Sequence, residues 1–254
     1  MNWAAIDPTI LGLPLLAGLL VLLTHVPLGM QVLERGIVFI DLAIAQIAGL
    51  GVITANALGW ADSGLGVQMA ALSAALLGAA LLSWTERRLA HQQEALIGVL
   101  FVLAACLGIL LLAGNPHGGE KLKDLLVGQI LWVGWREIGW LFGATALVLL
   151  GMRLGVVQRW GRFGFYALFA VAVTASVQLV GVYLVFSSLI VPALATRRSN
   201  ASSRLALAHA VGAGGFVLGL LLSALFDLPA GALIVCTIAA CGLLAASARA
   251  QLRS

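Results

Sequence analysis

The 254-residue chain is 62% apolar and only 9% charged, too little polar surface to coat a soluble globule of this size. A formal charge of +4 is too weak to argue for a nucleic-acid partner, because the basic residues cluster between apolar runs instead of forming one tract. The chain is therefore read as an all-α, polytopic membrane helix bundle of about 8–9 spans, one transmembrane domain over residues 1–254.

Apolar runs fall at 9–30, 36–59, 65–84, 95–114, 138–152, 164–196, 205–226 and 229–247. The first Lys or Arg, Arg35, follows the first run, so that run lacks the basic start of a removable signal peptide and is expected to stay as a span. The second run, GIVFIDLAIAQIAGLGVITANALG, carries one charge, Asp41. An ionisable group in such a segment marks either a transport path or the membrane rim, where a helix start and Arg35 would stabilise it.

Small residues recur at four-residue spacing, Ala45 and Gly49 in the second run and Ala71, Ala75 and Ala79 in the third, which predicts close helix packing. The piece from Leu125 to Val133 is too short to cross and is expected to be interfacial or re-entrant. The sixth run has about 33 residues, too many for one crossing, and is expected to form two short helices turning near Gln178 to Gly181, or one broken segment. Cys106, Cys236 and Cys241 lie in apolar runs without metal-site spacing and read as packing residues.

With the amino terminus outside, nine crossings place eleven arginines (Arg35, Arg87, Arg88, Arg153, Arg159, Arg162, Arg197, Arg198, Arg204, Arg249 and Arg253) on the cytoplasmic side, against Lys121, Lys123 and Arg136 outside. Trp60, Trp84, Trp135 and Trp160 fall at run ends, where indoles anchor at headgroup level. The chain contains no Gly-Lys pair and hence no phosphate-cradling loop of that type, so any ATP is expected on a separate subunit.

A set of motifs occurs in a particular order: Glu34-Arg35-Gly36 with FIDLAIAQIAGLG, then Glu94-Ala95-Leu96-Ile97-Gly98, DLLVGQIL, VGVYLVFSSLIVPALATRR and LSALFDLPAGALIV. In this order they resemble the membrane permease subunit of ABC-type zinc and manganese importers, over roughly Ile10 to Leu244. The resemblance implies a fold like the vitamin B12 type importers and a bacterial inner-membrane location. It also implies pairing with itself or a sister permease, two cytoplasmic ATPase subunits and an extracytoplasmic metal-binding protein. No cofactor of its own is implied; zinc or manganese is the cargo.

Two departures matter. The family's second span commonly places His four residues after Asp, whereas Ala45 stands in that slot here; Gln46 beside it is turned roughly 140° from Asp41 on a helix. The loop GMRLGVVQRWGRFGF is short and basic where the family is acidic, so a short helix at Leu154 to Trp160 is the expected substitute for ATPase docking.

The candidate metal-contacting residues are Asp41, Gln46, His25 near the end of the first span, and His117 in the outer linker. An oxygen-rich set suits manganese better than zinc. His25 is read by preference as bonded to a carbonyl that Pro27 frees, His209 as a structural hydrogen bond, and His91 as solvated. Asp227 is expected to cap the last helix, and Glu94 to favour the dipole of the fourth span. Two other classes compete. An intramembrane protease built on Ser187, Ser188 and His209 lacks the Gly-x-Ser-x-Gly turn, and an ion-coupled secondary transporter would also use a lone intramembrane Asp.

Overall fold

The computed structural model describes residues 8–60 and 64–251. In chain order the helices are α1 (Pro8–Arg35), α2 (Ile40–Ala57), α3 (Gly64–Arg88), α4 (Gln93–Leu112), α5 (Gly118–Val127), α6 (Trp135–Arg153), α7 (Val156–Ala195), α8 (Ala201–Phe226) and α9 (Ala230–Gln251). Seven of them, all but α5 and α6, are long and apolar enough to cross a membrane. The polar first turn of α6, Trp135-Arg136-Glu137, keeps that helix out of the group, and Glu137 is used to bond the Gly134 amide at 3.1 Å.

The long sixth run does reverse. Arg35, at the end of α1, lies over the Phe165 ring at 4.2 Å, and Ser176 lies 3.2 Å from His25, so this part of α7 runs antiparallel to α1. The helix breaks at Gly181 (φ 79°, ψ 163°), after which Leu189 packs on Gly29 and Val191 on Gly242, so the chain travels back toward the Arg35 end. At 1.5 Å per residue the limbs 162–180 and 182–195 span roughly 28 and 21 Å, one full crossing and one short one.

The turn is held from below by Gly128. Both glycines have positive φ, the Gln129 amide donates to the Leu179 carbonyl at 3.0 Å, and a methyl on either glycine would collide with the other's backbone. Gly128 also sets the end of α5. The expected Leu125–Val133 element is therefore displaced: helix covers Gly118–Val127 and a single turn covers Ile130–Trp132.

The small-residue stripes pack as expected. A methyl added at Gly51 would come within 2.8 Å of the Ala70 carbonyl oxygen and 3.0 Å of the Ala71 Cα, and Ala71, Ala75 and Ala79 are fully buried between α3 and its neighbours. The cysteines differ from expectation: Cys106 and Cys236 are exposed on the bundle surface, and Cys241 is half-buried. In an apolar helix, an outward cysteine is lipid-compatible and needs no packing partner.

At the start of α7 the residues 156–160 form one helical turn bracketed by Gly155 (φ 71°) and Gly161 (φ 57°). This is the expected short element, starting two residues later because Gly155 closes α6. Arg162 beyond it pairs with Glu86 at 3.2 Å, tying the segment to the end of α3.

Candidate metal centre

The start of α2 is where the bundle holds its least accommodated charge. Arg35 ends α1, Gly36 (φ 71°) turns the chain, and α2 begins at Ile40, so Asp41 occupies the first helical turn instead of the interior of a continuous span. Its residue is fully buried, and neither carboxylate oxygen has a hydrogen-bond partner. The nearest dipoles are the Asp41 and Leu42 amides of that first turn. A helix start contributes at most about 2 kcal/mol to an anion. Removing a carboxylate from water costs several kcal/mol, so the dipole alone leaves the charge undercompensated.

The expected Arg35 partner is absent, because its guanidinium sits on the Phe165 ring. Nor does α2 itself supply a second donor. Ala45, one turn on, is buried and apolar, and Gln46 is half-buried on another face. What approaches Asp41 comes from α4: Glu94 reaches across so that its Oε1 accepts the Phe39 amide at 3.3 Å, and its charge falls on the Asp41 carboxylate. Glu94 thus caps α2 from outside, a role different from the expected one on its own helix.

The other candidates are spread through the molecule. His25 is buried in the middle of α1, its Nδ1 donating to the Val21 carbonyl at 2.9 Å and its Nε2 lying 3.2 Å from the Ser176 hydroxyl. The carbonyl engaged is Val21's, not that of Leu23, which faces the proline nitrogen four residues on. With both ring nitrogens occupied, His25 ties α1 to α7. His117 is exposed at the start of α5, where its Nδ1 lies 3.2 Å from Glu120.

His209 Nδ1 donates to Leu205 and Ser188 to Val185, each along its own helix, so neither displays the mutual hydrogen bond a nucleophile and its base would share. Asp227 closes α8 in the left-handed region (φ 53°) and is exposed; α9 begins at Ala230, so the expected cap of the last helix is instead a terminator of the one before it. His91 is exposed, as expected. Among the described residues no three His, Cys, Asp or Glu side chains gather as a metal cage.

At the opposite end of α2 two cavities meet. One of about 280 Å³ is lined by Asn56, Asn115, Asp124, Gln129 and Gln178, and one of about 300 Å³ by Gln68, Arg136, Glu137, Thr174 and again Gln178. Gln178 bonds reciprocally to Gln68 at 3.0 and 3.1 Å. Nothing in the sequence marks Gln178 beyond its being an amide in an apolar run. Asn56 lies fifteen residues beyond Asp41, roughly 22 Å along the helix, so these cavities and the buried carboxylate occupy different depths of the bundle.

The comparisons with known proteins agree with this architecture. The chain is 26% identical over 230 residues to the manganese transport system membrane protein MntC of Halalkalibacterium halodurans, covering 82% of this chain and 76% of that protein. Among solved structures it is similar to PsaBC from Streptococcus pneumoniae in complex with Fab (TM-score 0.79, 23% identity, all of both chains). It is also similar to an inward-facing metal-chelate type ABC transporter (TM-score 0.67, 19% identity, 90% of this chain and 85% of that one). These two likenesses show the fold. The ABC 3 transport family model matches residues 9–158 and 152–249, nearly the whole length, and the chain belongs to that family.

Proposed function

We propose that the chain is the membrane permease of an ATP-driven importer that carries manganese or zinc inward by alternating access. The observation that carries the reading is Asp41, a fully buried carboxylate whose two oxygens have no partner, on the second helix of an ABC 3 family bundle. Such a group is stable when a cation visits it, and a cation held by one wall of a helical path leaves again readily. The manganese relative supports the ion class.

In this reading ATP is hydrolysed by separate cytoplasmic subunits, and an extracytoplasmic protein delivers the ion. Two copies, or one copy and a sister permease, complete the path in the bacterial cytoplasmic membrane. The amino terminus lies outside and the carboxyl terminus inside, the orientation that collects eleven of the fourteen basic residues in the cytoplasm. The turn at 156–160, tethered through Arg162 to Glu86, faces the cytoplasm in that orientation and offers the ATPase a short basic contact. Exposed His117 and Glu120 then lie on the delivery side.

A deletion strain grown under metal limitation tests the reading. Growth is expected to fall and to recover with added manganese or zinc, and with the wild-type gene. Recovery with neither metal overturns the proposed cargo.

A further inference from the structure

We infer that Glu94 is the second carboxylate of the Asp41 site, and that the two, brought together at the start of α2, bind a divalent cation through oxygen ligands alone. The inference rests on the divalent-metal reading above and adds a residue and a preference to it. Four observations converge on this point of the fold.

First, three carboxylate oxygens lie here without donors: both of Asp41 and Oε2 of Glu94, all buried. Second, the remaining Glu94 oxygen accepts the Phe39 amide at 3.3 Å, two residues before Asp41, which holds the α4 carboxylate at the start of α2. Third, three of the cations at this end of the bundle are directed to other groups. Arg35 lies on Phe165, Arg204 pairs with Glu34 at 3.0 Å, and Arg162 pairs with Glu86 at 3.2 Å. Fourth, the neighbouring Gln93 is used up by Thr85, the Leu82 carbonyl and Tyr166, so it neither donates to the pair nor dilutes its charge.

Two like charges at one buried helix start repel, and the dipole of α2 is too weak to hold both. A cation of charge +2 cancels the pair and supplies the missing partners. Carboxylate oxygen without imidazole or thiolate is a hard donor set, better matched to manganese than to zinc. Asp41 is sealed in the bundle while Glu94 is only half-buried, so the Glu94 side is where the ion enters or leaves the site.

The competing account makes Glu94 only a cap for α2, and Glu94→Gln separates the two, because the amide oxygen still accepts the Phe39 N–H while the charge is gone. The test uses the full chain co-purified with its ATPase partner in lipid nanodiscs without ATP. Mn²⁺ binding is read from loss of the free aqueous Mn²⁺ resonance, and from the rise in unfolding temperature that Mn²⁺ produces. Wild type and Glu34→Gln are expected to bind alike. Asp41→Asn and Glu94→Gln are each expected to weaken binding by about tenfold or more and to lose the Mn²⁺-induced rise. Glu94→Gln binding as wild type, with Asp41→Asn defective, overturns the role of Glu94 alone. A wild-type complex that binds no Mn²⁺, from a gene that restores manganese-dependent growth, overturns the site and leaves the cargo standing. Failure of both takes the cargo with it.

Discussion

Gly181→Ala is expected to reduce the folded permease in membranes to below about a tenth of wild type. The backbone at Gly181 (φ 79°, ψ 163°) lies where side-chain-bearing residues cost about 1–3 kcal/mol. The added methyl also meets the Gly128 nitrogen and the Val127 and Leu126 carbonyl groups, all backbone, so no rotamer change relieves it. Against a total stability of about 5–15 kcal/mol this is a large fraction, and each 1.4 kcal/mol is roughly tenfold in population. The damage is specific in place: it opens the contact that reverses α7 over the end of α5, where Gln129 bonds Leu179 at 3.0 Å. Detergent-extracted protein followed by size-exclusion chromatography reads the effect. Gly143→Ala, at a helical glycine with open space around it, is the control and should elute as wild type. A Gly181→Ala peak of unchanged height and thermal midpoint would remove the reversal from the list of essential features.

Asp41→Asn is expected to cut manganese uptake by about tenfold or more while leaving membrane abundance at or above that of wild type. The two halves of this expectation come from the same fact. A buried carboxylate with two unpartnered oxygens is a cost to the empty fold, and a neutral amide of the same shape lowers that cost. The same substitution removes the charge that attracts the ion, and a lost charged ligand is worth at least about 1.4 kcal/mol in binding. A residue that only capped α2 would behave differently, since Asn caps a helix as well as Asp does. Cellular uptake normalised to permease in the membrane decides it; unchanged uptake assigns Asp41 to the helix start and nothing more.

Much of the bundle is legible in the sequence, because in lipid the apolar run is itself the span. The length of the sixth run alone forces a turn, and Gly181, the last residue of the expected interval, makes it. The helix boundary at Asp41 was within reach too: Arg35-Gly36 is a basic last turn followed by a left-handed glycine, the ordinary signature of a helix end, and it divides the two spans before Ile40. Continuous hydrophobicity across residues 36–59 hides this, since the turn residues Ile37, Val38 and Phe39 are as apolar as the helix that follows. The end of α5 is obscured in a similar way, with Gly128 placed by a backbone contact to Gly181 instead of by any change in composition.

The partnerships within the sites are a different matter. Phe39 and Glu94 are 55 residues apart, Gln68 and Gln178 110, His25 and Ser176 151. Helical periodicity speaks only to neighbours within a turn or two, so it locates Asp41 and His25 without saying what meets them. It leaves His25 open between ligand and structural residue, and the Ser176 and Val21 contacts engage both ring nitrogens. It leaves Glu94 as a charge at the start of its own helix, and the fold brings that charge to another.

The most direct measurement is ATP-driven Mn²⁺ accumulation by proteoliposomes holding the chain with its ATPase partner and loaded with the binding protein on the outer side. The account predicts uptake that requires ATP, and falls about tenfold or more with Asp41→Asn. Accumulation that proceeds without ATP on an ion gradient, or that is the same with Asp41→Asn, would contradict it.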